Sequence, residues 1–426
     1  MKINECLKRI SNGCLDSLFA ELYTSENVDF QKKRYINAVE RFSELYPERD
    51  DIHIYSVSGR TEITGNHTDH QHGCVIAGAV NLDTIGIASF HNENTVRIQS
   101  EGYDEISVAL NDLGIHENKN NSSEIVRGIC AKFVGMGVKI NGFDMYTTSD
   151  VLSGSGISSS ASFETLVATA INCFYNNGQA DAVEIAKIGQ FAENVYFGKK
   201  SGLMDQLVCS VGGFVFIDFK DIENPYIEKV NADLSETGYK LIITDTKGSH
   251  SDLTDDYVTV RSEMESVAKY FGKNVLREVD ETEFYANIAN LRTALNNDRA
   301  ILRAIHFFNE NRRVNTIVER LNNDDFEGFK TLIQESGNSS YKFLQNVYAD
   351  FDYKNQAVSL GLAMSEMILK DHGVCRVHGG GFAGTIQAFV ENSYVETYKE
   401  EIEKVFGKGS CHILKVRKLG GCKVID

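Results

Sequence analysis

Proline, tryptophan and positive charge are all scarce in this chain of 426 residues. It has two prolines and no tryptophan, and 43 lysines and arginines stand against 60 aspartates and glutamates, a formal net charge of −17. Because no basic stripe offsets this charge, the composition argues against a nucleic-acid or anionic-membrane partner. A nucleotide would have to be bound locally, by backbone N–H groups, a few cations and metal.

Signals for export, membrane insertion and cysteine-based structure are also missing. The nine cysteines form no CxxC pair, so neither a zinc site nor a disulfide framework is indicated. The first ten residues are polar and lack the apolar core of a signal peptide. No run approaches the roughly 18 consecutive apolar residues of a membrane span. We therefore expect a cytoplasmic protein.

The spacing of apolar residues changes along the first half of the chain. Residues 1–50 show helical spacing, whereas 52–57, 74–80 and 84–90 have the composition and period of separate strands. Helical spacing returns over 160–200. This half therefore predicts a mixture of strands and helices.

A polar segment at 219–239, between two strand-like runs, is the best candidate for a domain boundary. We accordingly predict an α+β protein with two domains, 1–232 and 233–426. The second domain is mostly helical and returns to strands near its end. Its predicted helical segments are 253–272, 282–295, 297–310 and 314–348.

The stretch from Gly154 to Ser162, followed by a helix-forming run, is the first candidate for chemistry. Glycines ahead of a helix let the backbone turn its N–H groups toward an anion, and the helix N-terminus adds about half a positive charge. The serines can contact a phosphate or metal, although a plain N-cap with flexible glycines is the alternative. Because the chain has no GxxxxGK[ST] sequence, a P-loop fold is not indicated.

The second candidate, Gly379 to Gly384, formally satisfies the GxGxxG dinucleotide fingerprint. It lies 42 residues from the C-terminus and precedes a strand-like run, which leaves no room for a dinucleotide-binding domain. Two interpretations stay open, a glycine loop lying against a ligand and a tight structural turn.

The third candidate site, residues 58–72, contains several histidines and a carboxylate. His67, Asp69, His70 and His72 suggest a metal site, but their spacing on a loop lacks the fixed geometry of a helical HExxH motif. Ordinary hydrogen bonding is the alternative, and an aspartate and a histidine suit the vicinal hydroxyls of a sugar equally well.

Two further acids are candidates for catalysis. Asp205 sits among apolar residues, and near an arginine it could orient or deprotonate a hydroxyl that attacks a phosphate. Its alternative role is a helix N-cap. Glu193, on the preceding helical pattern, is a candidate metal ligand or else part of a solvated face.

Together these stretches resemble the galactokinase branch of the GHMP kinases, the superfamily of galactose, homoserine, mevalonate and phosphomevalonate kinases. The sequences GRxxxxGxHTD (59–69), GSGxSSSAS (154–162), GxMDQ (202–206) and GGGFxG (379–384) occur in family order. A fifth segment, TDTKGSHSDLTDDYVTVR, resembles the galactokinase segment that bears a sugar-contacting tyrosine. The resemblance spans about residues 35–420.

The resemblance implies the two-domain α+β GHMP kinase fold, with a ferredoxin-like core in the C-terminal domain and the active site in the cleft. It implies phosphorylation of the C1 hydroxyl of galactose by ATP and Mg²⁺, with Asp205 as catalytic base, Arg60 beside it, and Ser160 and Glu193 on the metal. The ATP contacts would be Gly154, Ser155, Gly156, Ile157, Ser158, Ser159, Ser160 and Ala161. The sugar contacts would be Asn66, His67, Asp69, Gly202, Tyr257, Gly380 and Gly381.

One departure from the family pattern bears on the substrate. Galactokinases usually read GEHTDY where this chain reads GNHTDH, with Asn66 and His70. Ionised glutamate only accepts hydrogen bonds, whereas asparagine also donates them. Because that glutamate is expected near the sugar C6 hydroxyl, its loss would remove a charge that repels a C6 carboxylate.

Two alternatives to a galactokinase therefore stay open. The first is a kinase for galacturonate or for another C6- or C2-modified galactose. The second is a sensor with this fold and no activity, which the intact stretch at 154–162 disfavours. In each case we expect small-molecule sugar and nucleotide partners, and a monomer or weak homo-oligomer.

Overall fold

The computed structural model describes residues 1–117, 121–151, 157–248, 254–349 and 352–425. Within these ranges, none of the helices is long and apolar enough to cross a membrane. The helices are α1 (Ile3–Ser11), α2 (Asp16–Leu22), α3 (Val28–Leu45), α4 (Ser122–Gly135), α5 (Ser159–Tyr175), α6 (Ala182–Phe191), α7 (Met204–Val211), α8 (Thr254–Tyr270), α9 (Glu281–Ala286), α10 (Ile288–Leu295), α11 (Asp298–Asn322), α12 (Phe326–Ser339), α13 (Ala357–Leu369) and α14 (Val395–Phe406). The strands are β1 (His53–Thr64), β2 (Cys74–Phe90), β3 (Thr95–Ser100), β4 (Ile106–Ala109), β5 (Phe143–Ser149), β6 (Phe214–Asp218), β7 (Tyr226–Val230), β8 (Tyr239–Asp245), β9 (Gly373–Val377), β10 (Thr385–Glu391), β11 (Cys411–Leu414) and β12 (Cys422–Ile425).

The larger sheet has eight strands and is built around β2. Its main order is β12-β1-β2-β5-β3-β4, with β6 also paired to β2 and β7 paired to β6. The two strands expected at 74–80 and 84–90 are one strand of 17 residues. Two polar residues between the expected strands, Asn81 and Asp83, are buried and partnered: Arg34 and Arg417 donate to the Asp83 carboxylate, and the Lys415 N–H donates to Asn81 Oδ1.

Helices cover both faces of this sheet. On one face, Val57, Ile98 and Met145 pack with apolar residues of α4, α5 and α6. On the other face, Ile54 and Ile85 pack with buried residues of α1, α2 and α3. The first 45 residues are therefore docked on the sheet, and they bury its second face because alternate strand residues point to opposite sides.

The smaller sheet is antiparallel, with four strands in the order β11-β8-β10-β9. Two of the helices, α13 and α14, pack on one face, and α11 and α12 pack on the other. The chain order, in which a strand and its helices precede a hairpin, a helix and a last strand, is the split βαβ arrangement of a ferredoxin-like core. The expected α+β fold with this core is confirmed.

The end of β1 lies against the smaller sheet. Arg376 of β9 donates from Nη1 to the carbonyl of Ile63 at 2.5 Å, and Gln387 of β10 donates to the carbonyl of Glu62 at 2.9 Å. Most of β1 is buried, but Arg60 and Glu62 are partly exposed. These two side chains share one face of the strand because they are two residues apart, so β1 presents them where the sheets meet.

Candidate functional site

Arg60 and Asp205 form a bidentate ion pair. Asp205 lies in the first turn of α7, and it accepts hydrogen bonds from Arg60 Nε at 2.7 Å and Nη2 at 2.6 Å. The side chains are 13% and 29% exposed, so the pair is shielded but reachable. Burial alone would raise the pKa of Asp205, but the Arg60 charge and hydrogen bonds outweigh it and lower that pKa. The structure thus holds an ionised carboxylate beside a fixed cation.

Ser158 connects this pair to the start of α5. Its hydroxyl donates to Asp205 Oδ2 at 2.5 Å, and the neighbouring carbonyl of Ile157 accepts from the N–H of Arg60 at 3.0 Å. Ser158 has a φ of 62°, a left-handed conformation that is uncommon outside glycine. The predicted ATP contacts Gly154, Ser155 and Gly156 lie outside the described residues.

A cavity of about 910 Å³ opens beside the beginning of α5. Ser159 and Ser160 line it, and so do Ser122 and Ser123 at the beginning of α4. A helix N-terminus carries a partial positive charge, which favours anions; at α4 the Asn121 side chain already accepts from the N–H of Ser123 at 3.1 Å. The remaining lining comes from Thr84, Ser100, Glu101, Tyr103, Asp104, Glu105, Ile106, Ser107, Asn121, Ile125, Thr147, Thr148, Ser149, Val151 and Phe163.

Glu193 belongs to a buried cluster of acids beside α7. One carboxylate oxygen accepts from Lys199 Nζ at 2.7 Å, and the other accepts from the Ser201 hydroxyl and from Gln206 Nε2. The same Gln206 nitrogen donates to Glu164 Oε2 at 2.9 Å, while Glu164 Oε1 is buried with no partner among the described residues. Burial and the nearby Glu193 charge raise the pKa of Glu164 to about 8. The cluster therefore has more acceptors than donors.

His67 and Tyr257 both contact the glycine run at 379–384. His67 donates from Nε2 to the carbonyl of Gly380 at 2.8 Å, and burial lowers the pKa of its imidazole. The Tyr257 ring stacks near that imidazole with centroids 6.2 Å apart, and its hydroxyl donates to the carbonyl of Gly381 at 3.1 Å. The sequence analysis predicted all four residues as sugar contacts, and the structure brings them together.

The glycine run 379–384 is a packed turn. A Cβ atom on Gly380 would lie 2.5 Å from Tyr257 Cε1. Gly381 has a φ of 79°, and a Cβ there would overlap the carbonyl oxygen of Asn346. The geometry favours the structural-turn interpretation, with a further role: the carbonyls of this turn hold the side chains of the cleft.

Asn66 is fully buried and its amide is committed to protein partners. Nδ2 donates to Glu62 Oε1 at 2.5 Å and to the carbonyl of Gly379 at 2.7 Å, and the Ser340 hydroxyl donates to Oδ1 at 3.2 Å. The sequence analysis missed Glu62. Glu62 follows Arg60 by two residues in a strand, which places both side chains on the same face. This spacing could have identified Glu62 as a site residue from the sequence. Asn66 was expected to leave this part of the site without a carboxylate. The Glu62 side chain, which Asn66 contacts, supplies a carboxylate there.

The remaining residues of the 65–73 loop lie nearby. Asp69 Oδ2 is 3.8 Å from where a Cβ on Gly202 would lie, so the two predicted sugar contacts adjoin each other. His70 is partly buried, and burial lowers the pKa of its imidazole to about 4. In the described part of the chain, no group of three or more histidines, cysteines, aspartates or glutamates could hold a metal ion. The metal interpretation of this loop therefore gains no support.

Comparison with solved structures identifies the fold, and a family model matches part of the chain. The Lactococcus lactis galactokinase complexed with galactose matches with a TM-score of 0.74 at 22% identity, over 90% of this chain and 98% of that one. The mevalonate kinase of Methanococcus jannaschii matches with a TM-score of 0.60 at 15% identity, over 85% and 98%. Residues 123–213 match the family model for the GHMP kinases N terminal domain. The fold and the matched segment are those of a GHMP kinase.

Sequence comparison narrows the family. Residues 40–90 match the galactokinase galactose-binding signature. The galactokinase of Clostridium acetobutylicum is 30% identical over 395 residues, which cover 88% of this chain and 96% of that protein. This chain belongs to the galactokinase family.

Proposed function

We propose that the protein transfers the γ-phosphoryl group of ATP to the C1 hydroxyl of galactose and produces galactose 1-phosphate. The observation that carries the proposal is the Arg60–Asp205 ion pair, which Ser158 joins to the helix N-terminus beside the 910 Å³ cavity. An ionised carboxylate next to an anion site is what deprotonation of an attacking hydroxyl requires. Membership of the galactokinase family supplies the identity of sugar and donor.

Asp205 acts as the general base in this proposal. It accepts the proton of the C1 hydroxyl while the oxygen forms its bond to the γ-phosphorus and the bond to the β-phosphate oxygen breaks, which releases ADP. Arg60 keeps the carboxylate ionised at neutral pH, in agreement with the lowered pKa of Asp205. The same guanidinium offsets charge on the transferring phosphoryl group.

ATP would occupy the cavity at the beginnings of α4 and α5. Its volume lies in the usual range for small-molecule sites, and two helix N-termini favour its phosphates. The proposed contacts among the described residues are Ile157, Ser158, Ser159, Ser160 and Ala161, and Gly154, Ser155 and Gly156 complete the set.

Ser160 and Glu193 would hold Mg²⁺, which would neutralise charge on the phosphates of ATP when bound. The residues present fit a cation, because Glu164 and Glu193 share one amide donor and Glu164 Oε1 is left without a partner in the described part of the chain. Lys199 is the present cationic partner of Glu193 at 2.7 Å, and its side chain is 58% exposed.

The sugar would bind between the 65–73 loop and the glycine turn. Hydrogen bonds to its hydroxyls would come from His67, Asp69 and Tyr257, with Gly202, Gly380 and Gly381 lining the pocket. Because Asn66 is fully buried, it would serve this pocket by holding Glu62 and the Gly379 carbonyl in place.

The proposed organisation is two domains, 1–232 and 233–426, with the active site in the cleft between them. The last strand, β12, pairs with β1 and so returns to the first sheet. The nine cysteines are all free thiols, which suits a reducing compartment such as the cytoplasm. We further propose a monomer or weak homo-oligomer.

An ATP-consumption assay with Mg²⁺ tests this function directly. Galactose, galacturonate, galactosamine and glucose are compared at equal concentration, and we expect a clear preference for galactose. A preference for galacturonate would establish the rival uronate kinase. Absence of turnover with every sugar would favour a sensor and contradict the proposal.

A further inference from the structure

Glu62 is a carboxyl group in the cleft to which no role has yet been assigned. It lies on β1 two residues from Arg60 and on the same face, and both side chains are partly exposed in a strand that is otherwise mostly buried. The alternation of strand side chains therefore directs Glu62 toward the cleft that Arg60 and Asp205 occupy. Glutamates on mostly buried strands are uncommon unless they are paired, so its position needs an explanation.

Only one of the two Glu62 carboxyl oxygens is used inside the protein. Oε1 accepts from Asn66 at 2.5 Å, and Asn66 is itself fixed by Gly379 and Ser340. Oε2 has no partner among the residues that the structure describes. The orientation of the carboxyl group is thus set before any ligand arrives, with one acceptor left available.

The charged groups around Glu62 leave it without a salt-bridge partner in the described chain. Burial raises its pKa to about 7, the Asp69 carboxylate adds to this effect, and the charges of Arg376 and Arg60 oppose it. Arg60 is already bonded to Asp205. A hydrogen-bond donor on a ligand would stabilise the charged form of Glu62.

We propose that Glu62 is a specificity-determining sugar contact: its Oε2 accepts a hydrogen bond from a sugar hydroxyl, and its carboxylate disfavours sugars that carry a carboxylate of their own. The inference rests on the proposed function and deepens it. From Asn66 alone we expected a site that lacks a carboxylate and tolerates galacturonate. The inference reverses that expectation, because Asn66 holds the Glu62 carboxylate in the same part of the site.

Substitution of Glu62 by glutamine tests the proposal. Glu62→Gln keeps an oxygen that can accept from Asn66 but removes the charge, and we expect the KM for galactose to rise about fivefold with little change in the KM for ATP. The ratio of galacturonate to galactose turnover should rise by a similar factor. Glu391→Gln is the matched control, since Glu391 is also a strand glutamate with one side-chain partner, His372 at 2.7 Å.

A second variant separates charge from contact. Glu62→Asp retains the charge but withdraws the oxygens by one methylene, so the galactose KM should rise while the discrimination against galacturonate remains. Thermal melts of each variant report whether the fold is intact. If Glu62→Gln and Glu391→Gln have the same galactose KM and the same sugar preference, the inference is wrong while the proposed kinase activity stands. If the wild type fails to phosphorylate galactose, both are overturned.

Discussion

Replacement of Asp205 by asparagine is the perturbation that most sharply probes the chemistry. Asparagine has nearly the same shape as aspartate, so the cleft keeps its volume and Ser158 keeps an acceptor. The amide cannot take a proton from a sugar hydroxyl at neutral pH, and its NH₂ group cannot accept from Arg60. One of the two hydrogen bonds between Arg60 and residue 205 is therefore lost together with the base.

The expected loss in kcat is large and the loss of stability is modest. A positioned general base contributes about 10²–10⁴-fold to the rate, which corresponds to about 3–5 kcal/mol in the barrier. The side chains of Arg60 and Asp205 are 13% and 29% exposed, so water can partly solvate the Arg60 guanidinium in the variant. We expect the free energy of unfolding to fall by about 1–3 kcal/mol, which leaves the protein folded.

Steady-state kinetics with galactose and ATP measure this effect, with thermal melts in parallel. Asp218→Asn is the matched control, because Asp218 pairs with Arg277 at 2.8 Å and the two side chains are 21% and 22% exposed. The control should lose stability but retain kcat. If Asp205→Asn keeps kcat within tenfold of the wild type, Asp205 is not the base.

Three further predictions concern pH, the buried core and the glycine turn. Because Arg60 lowers the pKa of Asp205, the carboxylate loses its charge only as the pH falls through that lowered value. The kcat at saturating substrates should therefore stay level from about pH 7 to about pH 5. A decline in kcat that begins above about pH 6 would contradict this prediction. Asp83→Asn removes the buried carboxylate that Arg34 and Arg417 share, while Arg34 keeps Asp150 at 3.0 Å, so denaturant titration should show a loss of about 3 kcal/mol, and a loss below about 1 kcal/mol would refute the reasoning. Gly381→Ala strains a left-handed turn and should lower the free energy of unfolding by about 1–3 kcal/mol in the same measurement. It should also raise the galactose KM, and an unchanged KM would show that the turn does not contribute to the sugar site.

The sequence was sufficient for the fold class and for the stretches that form the cleft. Helical and strand periodicities located most elements, because each element buries a face and periodicity reports burial. Where the prediction failed, buried polar residues were the cause. Separate strands were expected at 74–80 and 84–90, yet β2 runs through Asn81 and Asp83 because residues distant in the sequence supply their hydrogen bonds.

A similar failure occurred in α11. Separate helical segments were expected at 297–310 and 314–348, but one helix runs from Asp298 to Asn322. The polar stretch between them includes Asn311, which accepts from the N–H of Cys74 at 2.8 Å in the larger sheet. Local sequence does not report such a partner, which only the tertiary fold brings close.

Glu62 marks the limit of motif-based prediction of the site. Comparison with the family motif identified Asn66 as the altered position. From the charge lost at that position we inferred that the whole site lacks this carboxylate. The hydrogen bond between Asn66 and Glu62 depends on a bulged strand that ends at the loop, and neither side chain is informative alone. A substitution at one position therefore has to be interpreted together with its spatial neighbour.

Identification of the reaction product is the measurement to make first. The wild-type protein is incubated with galactose, ATP and Mg²⁺, and phosphorus–proton correlation by NMR reports which sugar carbon carries the new phosphate. We expect a sugar phosphate whose phosphorus couples to the proton on C1, and no such product from Asp205→Asn on the same time scale. A phosphate on another carbon, or ADP formed without any sugar phosphate, would contradict the proposed reaction.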